Sequence, residues 1–205
     1  MGRTQQANLF AVRYRLGMTV AWLLCSVPLA CAQEVDCTTL NEVIAAATDD
    51  FAAFRGARRE LVADPEMAQL NDREAFSYSR DEYASTRRLA AAANCSVIVA
   101  RAEDPGSIIS EARLQCVWPS AKSDVQFATI KKALQACAIA AQVEDEDDDA
   151  DSYTLLVDRV ESGEGWGGVS VAADRQSPSP DSGPSVSVIH AVCQAIATGA
   201  CDDDD

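Results

Sequence analysis

Six cysteines after Gln33 (Cys37, Cys95, Cys116, Cys137, Cys193 and Cys201) have the chemistry best defined by type and number. Their count is even, there is no C-x-x-C pair, and the chain holds one histidine. That set favours disulfides over zinc, which is held by clustered Cys and His ligands. Six cysteines allow 15 pairings, and hairpin geometry suggests one of them. Asp104-Pro105-Gly106-Ser107 is a turn tetrad between Ser96–Val99 and Ile108–Trp118, with proline and glycine in its central places. Setting Asp104 against Ser107 puts Cys95 opposite Cys116, where facing Cβ atoms stand ~4.5–5.5 Å apart. Cys37 and Cys137 would then tie two antiparallel helices, and Cys193 with Cys201 would close the C-terminal segment.

Catalysis is poorly provisioned. His190 falls inside a strand-like run, Val188-Ile189-His190-Ala191-Val192, a setting more typical of a structural histidine than of a general base. Gly167-Gly168-Val169-Ser170-Val171 enters a strand and lacks the G-x-S-x-G nucleophile elbow. The acidic residues lie in solvated runs, whereas hydrolysis by two carboxylates needs a pair held in a cleft. Asp147, Asp149, Asp151 and Asp158 match positions 1, 3, 5 and 12 of a calcium loop, but Ser152 replaces the glycine of its sharp turn. No catalytic residue, cofactor or metal ligand is assigned from the sequence. The candidate binding residues are Trp166, read as the tip of a glycine-rich loop, and Asp147, Asp148, Asp149 and Asp151 of the acidic run.

Export is read from residues 1–32. Arg3, Arg13 and Arg15 precede an apolar stretch from Leu16 to Val27, and Ala30-Cys31-Ala32 supplies a small-x-small cleavage site. A soluble periplasmic or secreted protein follows, in a compartment where thiols pair. The alternative is a lipoprotein anchored at Cys31, although Pro28 and Leu29 stand off the usual lipobox register. Residues 1–32 hold three of the 17 basic residues and none of the 32 acidic ones, so the rest of the chain has 14 against 32, net −18. From residue 141 onward there are two basic residues, Arg159 and Arg175, against 16 acidic ones. Such a field repels nucleic acid and anionic lipid and favours a cationic protein partner.

The elements that must position these residues alternate in period. Leu40, Val43, Ile44, Ala47, Phe51 and Phe54 form one helical stripe, predicting a helix over 38–55 that starts at a Thr39/Glu42 capping box. Phe127, Ile130, Leu134 and Cys137 predict a second helix from Ser123. Residues 57–94 read as an exposed excursion with a helix over 80–93, and 141–151 as an acidic loop. Strand-like runs cover 153–160, 168–172 and 185–192. The expected fold is α+β: a disulfide-bonded two-layer sandwich, its antiparallel sheet of about five strands covered on one face by two helices, in the order α-β-β-α-β-β-β. The two αββ units hint at an internal repeat without residue-level similarity. The expected domains are a signal peptide at 1–32, one domain at 33–196 and a disordered acidic tail at 197–205. The expected function is an exported, non-catalytic binding or accessory protein (inhibitor, adaptor or chaperone-like) for another, basic extracytoplasmic protein. The competing readings are a secreted hydrolase with an unrecognised site and an acidic protein that binds divalent metal.

Processing is directly measurable. Intact-mass analysis of the exported protein is expected to give a chain starting at Gln33; a chain starting at Cys31 and carrying acyl groups would overturn the soluble reading.

Overall fold

The protein is seen in a computed structural model that describes residues 35–60, 76–119, 123–138, 145–149, 151–162, 164–175, 182–197 and 200–201. The segment read as an export signal, and residues 202–205 of the tail, lie outside the described residues. Among the described residues, no helix is long and apolar enough to cross a membrane.

Helix α1 spans Cys37–Ala45. It is capped one turn earlier than the Thr39/Glu42 spacing suggests: the Asp36 carboxylate accepts the N–H groups of Thr38 and Thr39 and the Thr39 hydroxyl, the last at 2.7 Å. These bonds, the Thr39 hydroxyl first, hold the Asp36 carboxyl below 3.8. The predicted helix over 38–55 is therefore too long. After Ala45 the chain makes two 3-10 turns, Ala47–Asp49 and Ala52–Phe54, separated by Asp50 and Phe51 in the left-handed region. The turns keep Leu40, Val43, Ala47 and Phe51 on the buried side, so the apolar stripe is satisfied while the regular helix is not.

Four strands follow, β1 (Arg55–Arg59), β2 (Ser77–Ser85), β3 (Asn94–Glu103) and β4 (Ser107–Pro119). Helix α2 (Ser123–Ala138) precedes four more, β5 (Asp145–Asp148), β6 (Ser152–Ser162), β7 (Gly165–Asp174) and β8 (Ser182–Ala195). All pairs are antiparallel, and the order across the single sheet is β1-β2-β3-β4-β8-β7-β6-β5. The fold is thus sheet-dominated, with eight strands among the described residues where about five were expected. Among the described residues each helix is followed by four strands, and the two αββββ units meet edge to edge at β4 and β8.

The three additional strands have one physical origin. β1 and β2 take up parts of the expected excursion, whose residues 61–75 lie outside the described residues, and β2 occupies part of the helix expected over 80–93. Ser77 to Ser85 carries polar residues on both faces, so it lacks the alternation that announces a strand. Arg59 bonds Glu82 across the β1–β2 ladder at 2.8 Å, and Arg58 pairs with Asp81. β5 replaces part of the acidic loop: Asp145–Asp148 pairs with Tyr153–Leu156 through a turn in which the Asp149 N–H donates to the Ser152 carbonyl. Acidic residues are poor strand formers, but an edge strand leaves one side to water, where charge is tolerated.

Both helices lie on one face. Val97, Leu114, Val188, Val171 and Leu155 form a row across five neighbouring strands and share one core with Leu40 and Val43 of α1 and Phe127, Ile130 and Leu134 of α2. Trp118, Tyr153 and Phe51 are the largest fully buried side chains in it. Three disulfides are present: Cys37–Cys137 joins the helices, Cys95–Cys116 crosses β3 and β4 with Cα atoms 4.1 Å apart, and Cys193–Cys201 ties down the chain beyond β8. The Ile196 and Ala197 N–H groups also donate to the Gly106 carbonyl, so Ala197 and Cys201 of the expected disordered tail are held in place, while 198–199 and 202–205 lie outside the described residues. Three disulfides are compatible with an extracytoplasmic location.

The bridges span 100, 21 and 8 residues, and in the chain-entropy account stabilisation grows with loop length. Removing Cys37–Cys137 as a double serine variant is expected to cost ~4.7 kcal/mol, against ~2.5 kcal/mol for Cys193–Cys201. Urea unfolding of the two variants checks this order.

Candidate functional site

The register divides the sheet into a face covered by α1 and α2 and a face on which the described residues place no helix. On the helix-free face one line across the strands reads Tyr78, Ala102, Ile109, Cys193, Trp166, Glu161. The next reads Arg80, Ala100, Glu111, Ala191, Gly168, Arg159, and the third Glu82, Ile98, Arg113, Ile189, Ser170, Leu156. The charges pair along each strand: Arg80 with Glu82 at 3.8 Å, Arg113 with Glu111 at 3.0 Å and Arg159 with Glu161 at 2.8 Å. An open groove of about 300 Å³ runs along this face, lined by Tyr78, Arg80, Ile98, Ile109, Glu111 and Arg113 among others. Ile109 is 43% exposed there. Of this grouping the sequence singles out Trp166 and Cys193 alone, and neither as part of a sheet face. Its one local signal was Glu111 and Arg113 alternating with Ala112 and Leu114.

Trp166 belongs to this face. It stands inside β7, between Glu161 and Cys193, and is half-buried. The glycine-rich loop is thus shorter than expected, and the tryptophan is not its tip. Gly165, with φ at 143°, makes the turn possible, because a Cβ there would lie 2.0 Å from the Cys193 carbonyl oxygen.

The acidic residues occupy a different place. Asp147 and Asp148 lie in the edge strand β5, and Asp149 and Asp151 are exposed in the turn that follows. Asp147 pairs with Thr154 and Thr154 with Ala172, six residues along β7 from Trp166, roughly 20 Å at strand rise. The structure does not bring Trp166 and the acidic run into one site. It also draws the calcium-loop spacing out into a hairpin: Asp158 lies four residues along β6 from the partner of Asp147 and beyond a bulge. Among the described residues, no three His, Cys, Asp or Glu side chains cluster as metal ligands would. Arg175, one of the two bases of this half, is spent locally: it pairs with Asp151 at 3.1 Å and Asp124 at 3.5 Å and stacks on Phe127.

His190 sits on the helix-covered face, between Ala112 and Val169, with Nδ1 3.3 Å from the Asp50 carboxylate. It tethers β8 to the left-handed turn after α1. At the β3–β4 turn, the N–H groups of Gly106 and Ser107 hold the Asp104 carboxyl below 3.8.

With this geometry established, no known protein family, curated protein or solved structure matches the chain.

Asp174, at the end of β7, is half-buried, and burial raises its carboxyl above 3.8 while the Arg113 charge and the Ser185 hydroxyl oppose the shift. Between 3.8 and the raised value the folded state keeps a proton that the unfolded state has released, so stability falls as pH rises through that window. In Asp174→Asn this fall is removed. Its urea midpoint is expected to gain on wild type as pH is raised from below 3.8 and to level off above the folded value; a constant difference would contradict the burial effect.

Proposed function

We propose that this is an exported, non-catalytic binding protein, an inhibitor, adaptor or chaperone-like accessory, that engages a cationic extracytoplasmic protein at the acidic edge of its sheet. The observation that supports this reading is the position of β5. Among the described strands Asp145-Glu146-Asp147-Asp148 is the outermost, paired with β6 alone, and exposed Asp149 and Asp151 continue it.

An edge strand offers backbone donors and acceptors to an incoming strand. An acidic edge discourages pairing with another acidic edge, since like charges directly opposite each other are destabilising. The opposite edge, β1, carries Arg55, Arg58 and Arg59. The field therefore runs along the sheet and orients an approaching cationic partner, which raises the association rate more than the final affinity.

The test is kinetic. A protein captured from the extracytoplasmic fraction on wild type is measured for association with wild type and with Asp147→Asn/Asp148→Asn/Asp149→Asn/Asp151→Asn. The variant is expected to associate about tenfold more slowly at low salt, with a flatter salt dependence, as screening of the wild-type field would dictate. Equal rates and equal salt slopes would overturn the acidic edge as the docking element.

A further inference from the structure

We propose that this chain is a substrate of an extracytoplasmic thiol–disulfide isomerase, a partner required by the way its six cysteines pair. Cys37 joins Cys137 across Cys95 and Cys116, which join each other. One bridge is thus nested inside another, while Cys193–Cys201 stands apart from both. The compartment rests on the export reading of residues 1–32; the nesting does not.

Order of arrival favours the wrong pairs. An exported chain is threaded from its N-terminus, so Cys37 and Cys95 are the first two thiols after Gln33 to reach an oxidising space. At a synthesis rate of ~5–20 residues per second, the 21 residues from Cys95 to Cys116 take about 1–4 s. For that time Cys37 is the thiol that Cys95 meets. Cys137 follows Cys116 after another 21 residues. Pairing in this order gives Cys37–Cys95 and Cys116–Cys137, neither of which is native.

Loop closure does not correct this. Cys116 lies 21 residues from Cys95 and 21 from Cys137, so chain entropy does not distinguish its native partner. For Cys37 the native loop spans 100 residues, against 58 to Cys95, and closure statistics favour the shorter loop by about twofold. The native set is favoured by the β3–β4 ladder, which places Cys95 opposite Cys116, and by the core that packs around it.

A mispaired chain has no route of its own to that set. Its six cysteines are even in number, so once Cys193–Cys201 has closed no thiolate is left to start exchange. An external thiolate supplies the start. It attacks Cys137 Sγ of Cys116–Cys137, forms a mixed disulfide there and releases the Cys116 thiolate. Held against Cys95 by the hairpin, Cys116 attacks Cys95 Sγ of Cys37–Cys95, forms Cys95–Cys116 and releases the Cys37 thiolate. Cys37 then attacks Cys137 Sγ of the mixed disulfide, forms Cys37–Cys137 and returns the isomerase thiolate. Each step makes one S–S bond and breaks one, so no oxidant is consumed. The six electrons and six protons of the original thiols have already passed to the disulfides of an extracytoplasmic dithiol oxidase. After packing, Cys95, Cys116 and Cys137 are 3%, 0% and 3% exposed. The same thiolate no longer reaches them, and exchange runs one way.

The test exports the chain from Gln33, which holds the whole described core and all six paired cysteines, behind a general export signal. One host has both the oxidase and the isomerase, the other the oxidase alone, and non-reduced peptide mapping reads the pairs. Without the isomerase the Cys37–Cys137 link is expected to fall at least threefold, with Cys37–Cys95 and Cys116–Cys137 in its place. Cys37→Ser/Cys137→Ser leaves two bridges between consecutive cysteines and is expected to map alike in both hosts. Cys95→Ser/Cys116→Ser makes Cys37 and Cys137 consecutive, and the same result is expected. A native wild-type map at equal yield in the two hosts, a loss without Cys37–Cys95, or pair variants as dependent on the isomerase as wild type would each overturn the proposal. A native chain that keeps residues 1–32 would overturn the export reading and the compartment with it, whatever the pairing.

Discussion

The fold depends on the ladder between β4 and β8. It pairs Ser107 with Ala195 and continues without interruption to Val117 and Ser185, turning two four-stranded sheets into one. Leu114 and Val188 face each other across it and carry the apolar row from Val97 into Val171 and Leu155. Neither unit has to bury its helix alone: α1 and α2 touch each other, and α2 rests on β7 and β8. The Cys37–Cys137 bridge, closing 100 residues, locks the helices of the two units over that shared layer.

Spending one face on the core leaves the other to be managed by different means. There the strands carry alternating Arg and Glu, small residues beside larger ones, and an open groove. Meanwhile the charge of the C-terminal half is carried outward to the edge, because β5 is the last strand of its unit and the sheet order puts it farthest from the arginines of β1. One topology therefore produces two distinct surfaces: a grooved face of paired Arg and Glu and an acidic edge. Trp166 belongs to the first and the acidic run to the second, so the pair of features that stand out in the sequence do not act as a unit.

The readings that hold are those governed by contacts close in sequence or by one strong period. The α2 stripe places Phe127, Ile130, Leu134 and Cys137 in the core, because an amphipathic helix carries its burial pattern within a few turns. The β3–β4 hairpin keeps the register set by Asp104 and Ser107, with Cys95 opposite Cys116, because a tight turn fixes every pair behind it. The expectation of a disulfide-bonded α+β protein with two helices on an antiparallel sheet follows from these.

Tertiary structure decided the rest. β1, β2 and β5 lie at or next to the edges of the sheet, where one face or one side is open, so no apolar alternation marks them. Arg58, Arg59, Asp81 and Glu82 look like a solvated segment until the ladder sets them across from one another. The long helical stripe after Cys37 resolves into a helix and two turns because Phe51 reaches the core through a left-handed backbone that periodicity cannot report. The helix-free face is invisible in one dimension. Arg80, Glu111 and Arg159 are neighbours only across ladders that join residues far apart in sequence, and it is the register of those ladders, not local propensity, that makes them a surface.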